Sequence, residues 1–271
     1  MNIEKAMLKA IHDHSMIQEG DSILIGASGG KDSLALSWLL ARMAARMAAR
    51  TAARMADEAT RERPALKLGA LKVVIGPEVV PGLHEKPEDR LSRLYGDWGI
   101  PLRFFGIRGR IEAAAVQSAL QAGSPAGFQS DRQSELGAGE VVSGCYRCSS
   151  LRREALASYA RQEGYGSIAL GHHIDDVLTT ALMNLVIHGS GPVMEPCRSY
   201  EKFGLLLIRP LAYVPEESIR RLAARMGWDS VTCTCPAGTN GDRAEFRRRL
   251  EVLCGGKLSA KLKLLKGLGL A

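Results

Sequence analysis

Six consecutive residues, Ser28-Gly29-Gly30-Lys31-Asp32-Ser33, have the composition of a phosphate-binding turn. Adjacent glycines let a backbone approach a ligand closely, because glycine has no Cβ and tolerates positive φ. The apolar run Ile23-Leu24-Ile25 ahead of them reads as a buried strand, and Leu34 to Leu40 behind them as a helix. Free N–H groups at that helix start would then face the ligand, with the helix dipole adding about 0.3–1 kcal/mol for an anion. Lys31 supplies a positive charge, and Asp32 a hard oxygen ligand suited to Mg²⁺. The spacing is not that of a Walker loop, whose glycines are separated and whose lysine is followed by Ser or Thr. An ordinary glycine-rich strand–helix turn is the plain alternative, and the strand-before, helix-after context weighs against it.

Six cysteines are the second source of chemistry. Cys145 and Cys148 form C-x-x-C, Cys233 and Cys235 form C-x-C, and Cys197 and Cys254 stand alone. A thioredoxin-like site carries C-x-x-C near the first strand–helix unit, whereas here it falls midway along the chain. A zinc deaminase needs H-x-E upstream and a proline before the first cysteine, and neither is present. Metal coordination, or sulfur chemistry tied to it, remains, against the plain reading of two buried structural cysteines. Four sulfurs could close a tetrahedral zinc site. Three could hold an iron–sulfur cluster with one iron open. Ligand count does not separate the two.

Gly171-His172-His173-Ile174-Asp175-Asp176 reads as the end of a strand, a turn and a helix start. Asp175 or Asp176 could simply cap the helix that runs to His188. Alternatively, Asp175 lies at the same sheet edge as Asp32 and helps hold Mg²⁺ or position an activated intermediate. The two histidines have no partner at helical metal-ligand spacing.

These residues need a frame. Short apolar runs at Ser22–Ala27, Ala70–Ile75, Leu102–Ile107, Ser167–Leu170 and Leu205–Ile208 alternate with helical patterns. That alternation predicts an α/β fold: a doubly wound, mostly parallel five-stranded sheet with helices on both faces. Ligands of such sheets bind at the carboxyl ends of the strands, where Ser28 and Gly171 both fall. An apolar stripe at Ile3, Met7, Ala10, Ile11 and Ile17 predicts an amphipathic N-terminal helix. Two stretches stand outside the alternation. Ala41–Arg63 is an Ala/Arg/Met segment in which Arg42, Arg46, Arg50 and Arg54 form one ridge, either solvated surface or a contact for RNA. Gly123–Gly144 reads as a loop leading into Cys145, in the position of an active-site lid. The expected organisation is a single domain over 1–254, with insertions near 41–63 and 123–144, followed by a basic tail over 255–271.

The chain has 271 residues, 46% hydrophobic and 24% charged, with a formal net charge of +7. No apolar run approaches the ~18–20 residues of a membrane helix. The N-terminus lacks signal-peptide architecture, so a cytoplasmic protein is expected. From Arg243 onward eight Lys/Arg stand against Glu245 and Glu251, either a solvated helix surface or a phosphate-facing patch.

SGGKDS resembles the PP-loop of the ATP pyrophosphatase superfamily, whose members cleave ATP between its α and β phosphates. Added to it are C-x-x-C followed by Leu151-Arg152-Arg153, the Gly-His-His-x-Asp-Asp turn, Ile208-Arg209-Pro210-Leu211, a late cysteine pair, and Met16 to Asp21 before the first strand. With these, the chain is similar to the tRNA 2-thiocytidine synthetase family from about residue 3 to residue 254. The resemblance implies an adenine nucleotide alpha hydrolase-like fold and an ATP-dependent tRNA thiolase that adenylates a cytidine and replaces its 2-oxygen with sulfur. It implies ATP and Mg²⁺ at Ser28, Gly29, Gly30, Lys31, Asp32, Ser33 and Gly171. A 4Fe-4S cluster is implied on Cys145, Cys148 and Cys235, with Cys233 as the fallback third ligand. Catalytic roles fall to Asp32, Arg152 and Asp175. Implied partners are tRNA through its anticodon loop and a sulfur donor such as a cysteine desulfurase; the sequence leaves monomer and homodimer both open. One departure is Ile75-Gly76-Pro77, where the family carries a polar nucleotide-contacting residue. The rival readings are a PP-loop amidating or lysidine-type ligase with structural zinc, and a non-catalytic adenine-nucleotide sensor.

Overall fold

Six short strands form the sheet of the computed structural model, which describes residues 2–55, 66–75, 89–107, 144–189, 193–228 and 242–271. They are β1 (Ser22–Gly26), β2 (Lys67–Ile75), β3 (Leu102–Ile107), β4 (Ser167–Ala169), β5 (Cys197–Tyr200) and β6 (Leu205–Ile208). Their order is β3-β2-β1-β4-β6-β5. The five strands expected from apolar runs are the five parallel ones, so the mostly parallel α/β class holds. The count does not: β5 pairs antiparallel with β6 and makes a sixth, edge strand. Cys-Arg-Ser-Tyr has no apolar run because an edge strand is half solvated, and its residues are half-buried or exposed. A single turn of 3₁₀ helix, Glu201–Phe203, and Gly204 at φ 64° return the chain into β6.

Eight helices are described: α1 (Ile3–Asp13), α2 (Lys31–Met55), α3 (Asp89–Asp97), α4 (Gly144–Gln162), α5 (Ile174–His188), α6 (Glu216–Arg225), α7 (Asp242–Cys254) and α8 (Leu258–Gly267). Strand alternation decides what each covers. Ile23, Ile25 and Ala70 face a core built with α1, α2, α3, α5, α6 and the two C-terminal helices. Leu24, Leu71 and Val73 face the other way, onto Leu151, Ala155 and Ala160 of α4. The expected N-terminal stripe holds through Ile11, but α1 ends at Asp13 and Ile17 lies beyond it.

Two expected features change meaning. Residues 41–55 of the Ala/Arg/Met segment continue the helix that starts at Lys31. Its ridge is partly packed: the Arg42 guanidinium sits 4.7 Å over the Trp38 ring and Arg46 pairs with Glu4 of α1. Residues 255–271 are no loose tail, since they include α8, with Leu265 and Leu270 buried. Positions 56–63, 76–77, 123–143 and both Cys233 and Cys235 lie outside the described residues.

β1 is flanked by β2 on one side and by β4 on the other. The chain reverses its winding there, which opens a crevice at the carboxyl edge. β3 ends at that edge, and α4 must run back to reach the amino end of β4. The first turn of α4 therefore lies at the same edge as the Ser28–Ser33 turn.

Candidate active site

The turn after β1 is held by its own serines. The Gly30 N–H donates to Ser28 Oγ at 3.3 Å, Ser28 Oγ donates to Ser33 Oγ at 3.0 Å, and Ser33 Oγ donates to the Gly30 carbonyl at 2.9 Å. Gly29 has φ +85°, a conformation that L side chains rarely adopt. The expectation that glycine is needed here is met at Gly29 by backbone conformation.

Gly171 is needed for a different reason. A Cβ on it would lie 2.9 Å from the Asp32 carbonyl carbon and 3.0 Å from the Ser33 nitrogen, both backbone. The end of β4 thus packs directly against the first turn of α2. Glycine at 171 sets how closely the phosphate turn can approach the sheet.

Asp32 begins α2, and its side chain is about one-third exposed. The Lys31 ammonium lies 3.1 Å from both of its oxygens, but only Oδ2 has the angle to accept the proton. Oδ1 is buried and accepts no hydrogen bond among the described residues. An orphaned carboxylate oxygen at a phosphate turn is the donor a hard cation such as Mg²⁺ takes, so Asp32 fits that role. Lys31 also reaches Glu216 at the start of α6, at 3.0 Å. Burial would lower the Lys31 pKa, but the Asp32 and Glu216 carboxylates outweigh it and raise it, so the ammonium stays charged.

Behind this pair lies an ionic network that the spacing of the chain did not announce. Glu216 Oε2 accepts from Arg247 at 3.0 Å. Arg247 also donates to Asp176 Oδ1 at 2.6 Å, and Arg243 donates to the same oxygen at 3.0 Å. Burial alone would raise the Asp176 carboxyl; His173 and the two guanidinium groups outweigh it and pull the value down to about 2. The buried His173 ring bridges to the turn, with Nε2 3.3 Å from Asp176 Oδ2 and 3.9 Å from Asp32 Oδ1. Neither aspartate is the α5 N-cap. His173 holds that position, and its N–H donates to Asp176 Oδ2 at 3.2 Å.

Asp175, expected as a catalytic carboxylate, is only 1% exposed and both its oxygens are occupied. Oδ2 accepts the Glu216 N–H at 2.8 Å, capping α6, and Oδ1 accepts from Lys261 of α8 at 2.5 Å. Burial would raise its pKa. The nearby His173 ring and hydrogen bonds from Lys261 and the Glu216 backbone reverse that and hold it well below the carboxylate range. Its geometry is that of a residue that fixes Glu216, and through Glu216 the PP-loop lysine.

His172 accepts from Arg209 Nε through Nδ1 at 3.3 Å. Burial, then the Arg209 charge, lowers its pKa to about 4, so the ring is neutral at pH 7. Arg209 itself is buried and donates to the Glu195 carbonyl, which ties the Ile208-Arg209-Pro210-Leu211 segment to the Gly-His-His turn. Arg152 is half-buried on α4, four residues beyond Cys148, on the opposite sheet face from α2.

The backbone of α4 puts Cys145 and Cys148 three residues apart in its first turn, and residues at that spacing share a helix face. Two thiols at C-x-x-C spacing are the donor chemistry of a thiolate-ligated metal. Cys197 is half-buried and Cys254 buried, and no group of three metal-ligating side chains occurs among the described residues. Neither is there a helix long and apolar enough to cross a membrane among them.

Sequence reasoning missed Glu216, Arg243, Arg247, Lys261 and Lys72 of β2. The basic C-terminal stretch offered two readings, solvated or phosphate-facing. Three of its eight cations are counter-ions for Asp175 and Asp176: the half-exposed Arg243, the half-buried Arg247 and the buried Lys261. A lone lysine inside the apolar run Ala70–Ile75 was the one legible signal for Lys72.

No protein-family model matches the chain. Among solved structures, the U34-tRNA thiolase NcsA from Methanococcus maripaludis, with its [4Fe-4S] cluster, superposes with a TM-score of 0.67 at 19% identity. That match covers 98% of this chain and 76% of the other, and it establishes the shared fold. The tRNA-cytidine(32) 2-sulfurtransferase of Alkalilimnicola ehrlichii is 32% identical over 225 residues, 83% of this chain, which spans only 58% of that relative's length. The enzyme of the same name from Pelobacter propionicus is 30% identical over 254 residues, 93% of this chain and 77% of the relative. With likeness of that extent added to the motif order, the chain belongs to the tRNA-cytidine(32) 2-sulfurtransferase family.

Proposed function

We infer that the protein is a cytoplasmic, ATP-dependent tRNA sulfurtransferase that adenylates the 2-oxygen of an anticodon-loop cytidine and replaces it with sulfur. The observation that carries the reading is the phosphate turn with an Asp32 oxygen that accepts no hydrogen bond among the described residues, and the strand–helix topology, which puts the helix start bearing C-x-x-C at the same sheet edge, supports it. Family membership supports the same activity.

A base oxygen is a poor leaving group. Attack of that oxygen on the α-phosphate of ATP releases pyrophosphate and leaves the oxygen as part of a phosphoester. Sulfur then bonds to the ring carbon and AMP departs with the oxygen. The chain's own contribution to the first step is electrostatic: the Gly29 amide, Lys31 and the α2 N-terminus stabilise charge on the transferring phosphoryl group. Asp32 would hold Mg²⁺ through Oδ1, and the metal, when bound, neutralises phosphate charge. Glu216 and Asp175 keep Lys31 oriented, so its ammonium needs little reorganisation when phosphate arrives. His172, held neutral and oriented by Arg209, lines the same edge without adding charge to it. Cys145, Cys148 and Cys235 would hold a 4Fe-4S cluster, which when bound supplies an iron that carries the incoming sulfur. A donor such as a cysteine desulfurase would hand over that sulfur as a persulfide, whose release at the sulfide level takes two electrons from an external thiol reductant.

Protein purified without oxygen, given tRNA, ATP, Mg²⁺ and a sulfide source, is expected to release pyrophosphate and form 2-thiocytidine, read by mass spectrometry of digested tRNA. Pyrophosphate release with a nitrogen adduct on the base, or bound zinc in place of iron, would favour the ligase reading. ATP binding without tRNA-dependent pyrophosphate release would favour the sensor.

A further inference from the structure

Lys72 is a charged residue buried in the middle of a central strand. It follows Leu71 and precedes Val73 in β2, and is 3% exposed. Strand alternation puts it on the face shared with Ala70, towards α2 and α3 rather than α4. Its ammonium rises to the underside of the phosphate turn, donating to the Ser28 carbonyl at 3.3 Å. A Cβ at Gly29 would stand 3.3 Å from Nζ and 4.0 Å from Leu91 Cδ2, so the missing side chain leaves the ammonium facing the turn. Among the described residues no carboxylate pairs with it.

An ammonium has three N–H donors, and one neutral carbonyl takes one of them. Burying a cation costs several kcal/mol that a single carbonyl does not return, so the site is electrostatically incomplete. Lys31, the other cation of the turn, is already engaged by Asp32 and Glu216. Lys72 has no such engagement among the described residues, and it lies where a helix N-terminus already favours an anion.

We propose that Lys72 is a second cation of the nucleotide site, donating from beneath the Ser28–Gly30 turn to a phosphate of the bound nucleotide. The proposal rests on the reading of that turn as an ATP site. The alternative is a positioning role, in which Lys72 only holds the Ser28 carbonyl.

Lys72→Met keeps the aliphatic stem and removes the charge. Full-length wild type and variant are compared by calorimetric titration with ATP·Mg²⁺ and with inorganic pyrophosphate, and by nucleotide-free thermal unfolding. The expected result is a Kd weakened 10- to 100-fold for both ligands, with a nucleotide-free Tm unchanged or raised because a buried charge is gone. Unchanged affinities overturn the proposal. So does a nucleotide-free Tm that falls by more than a few degrees, whatever the affinities, because that assigns Lys72 to holding the turn. If wild type binds neither ligand, the nucleotide reading fails and the proposal falls with it. Wild-type binding with an indifferent variant removes Lys72 alone.

Discussion

Replacing Lys261 with methionine tests whether the C-terminal helix is a structural part of the site. Its ammonium bridges Asp175 and Glu251 at 2.5 Å each, with side chains 6% exposed for Lys261 and 1% for Asp175. Removing one member of a buried ion pair strands the other, at about 3–5 kcal/mol. Two features put the expected loss near the lower bound. Asp175 keeps the Glu216 N–H, and methionine preserves the packing of the lysine stem. The partner Glu251 is 47% exposed and adds less than about 1 kcal/mol. A loss of about 3 kcal/mol corresponds to roughly 6–12 °C in Tm for a domain of this size. Lys261→Met combined with Asp175→Asn leaves no unpaired charge and should recover a good part of that loss. The pH dependence has a definite sign. The folded pKa of Asp175 is depressed, so its contribution is present above the unfolded value of about 3.9 and is lost as pH falls through the lower folded value. Lys261 is raised, since Asp175 and Glu251 outweigh its burial, so its contribution persists below the unfolded value of about 10.4 and fades above it. Wild type and variant should therefore differ most between about pH 5 and 9 and converge in acid. Urea and thermal unfolding across that range measure it. A loss under about 1 kcal/mol at pH 7, or a double variant no better than the single, would refute the assignment.

Gly171→Ala would press a methyl group against the α2 backbone at 2.9 Å, costing about 1–3 kcal/mol and shifting the phosphate turn. ATP affinity is expected to drop at least tenfold by titration, and an unchanged Kd would show that the turn tolerates the shift. Cys145→Ser, Cys148→Ser and Cys235→Ser should each lose iron and thiolation while still binding ATP. Cys197→Ser and Cys254→Ser should keep both, and Cys233→Ser should retain iron; iron assays and absorbance decide, and loss in Cys233→Ser points to four cysteine ligands. Arg46→Gln with Arg50→Gln should change the slope of log K against log salt for tRNA by less than about 1, because Arg46 is engaged with Glu4. A fall of about 1–2 would make the ridge an RNA contact.

Much of this protein is legible in local spacing. Five of six strands, the phosphate turn and the end of α5 follow from apolar runs and turn residues, because strand and helix periods are properties of neighbouring positions. β5 escaped because an edge strand needs no apolar run. What the charged residues do was not legible. Asp175 reads from sequence as a helix cap or a metal ligand, and becomes a buried anchor only when Lys261, 86 positions away, is folded against it. Arg243 and Arg247 sit one helical turn apart in a basic stretch, and nothing in that spacing says they pair with Asp176. Lys72 is a plain strand lysine until the turn after β1 closes over it. A sequence prescribes the period of each element and the chemistry each side chain carries. Which charge meets which is decided by how α5, α6, α7 and α8 pack, because ion pairing depends on distance and burial, and only the tertiary structure sets those.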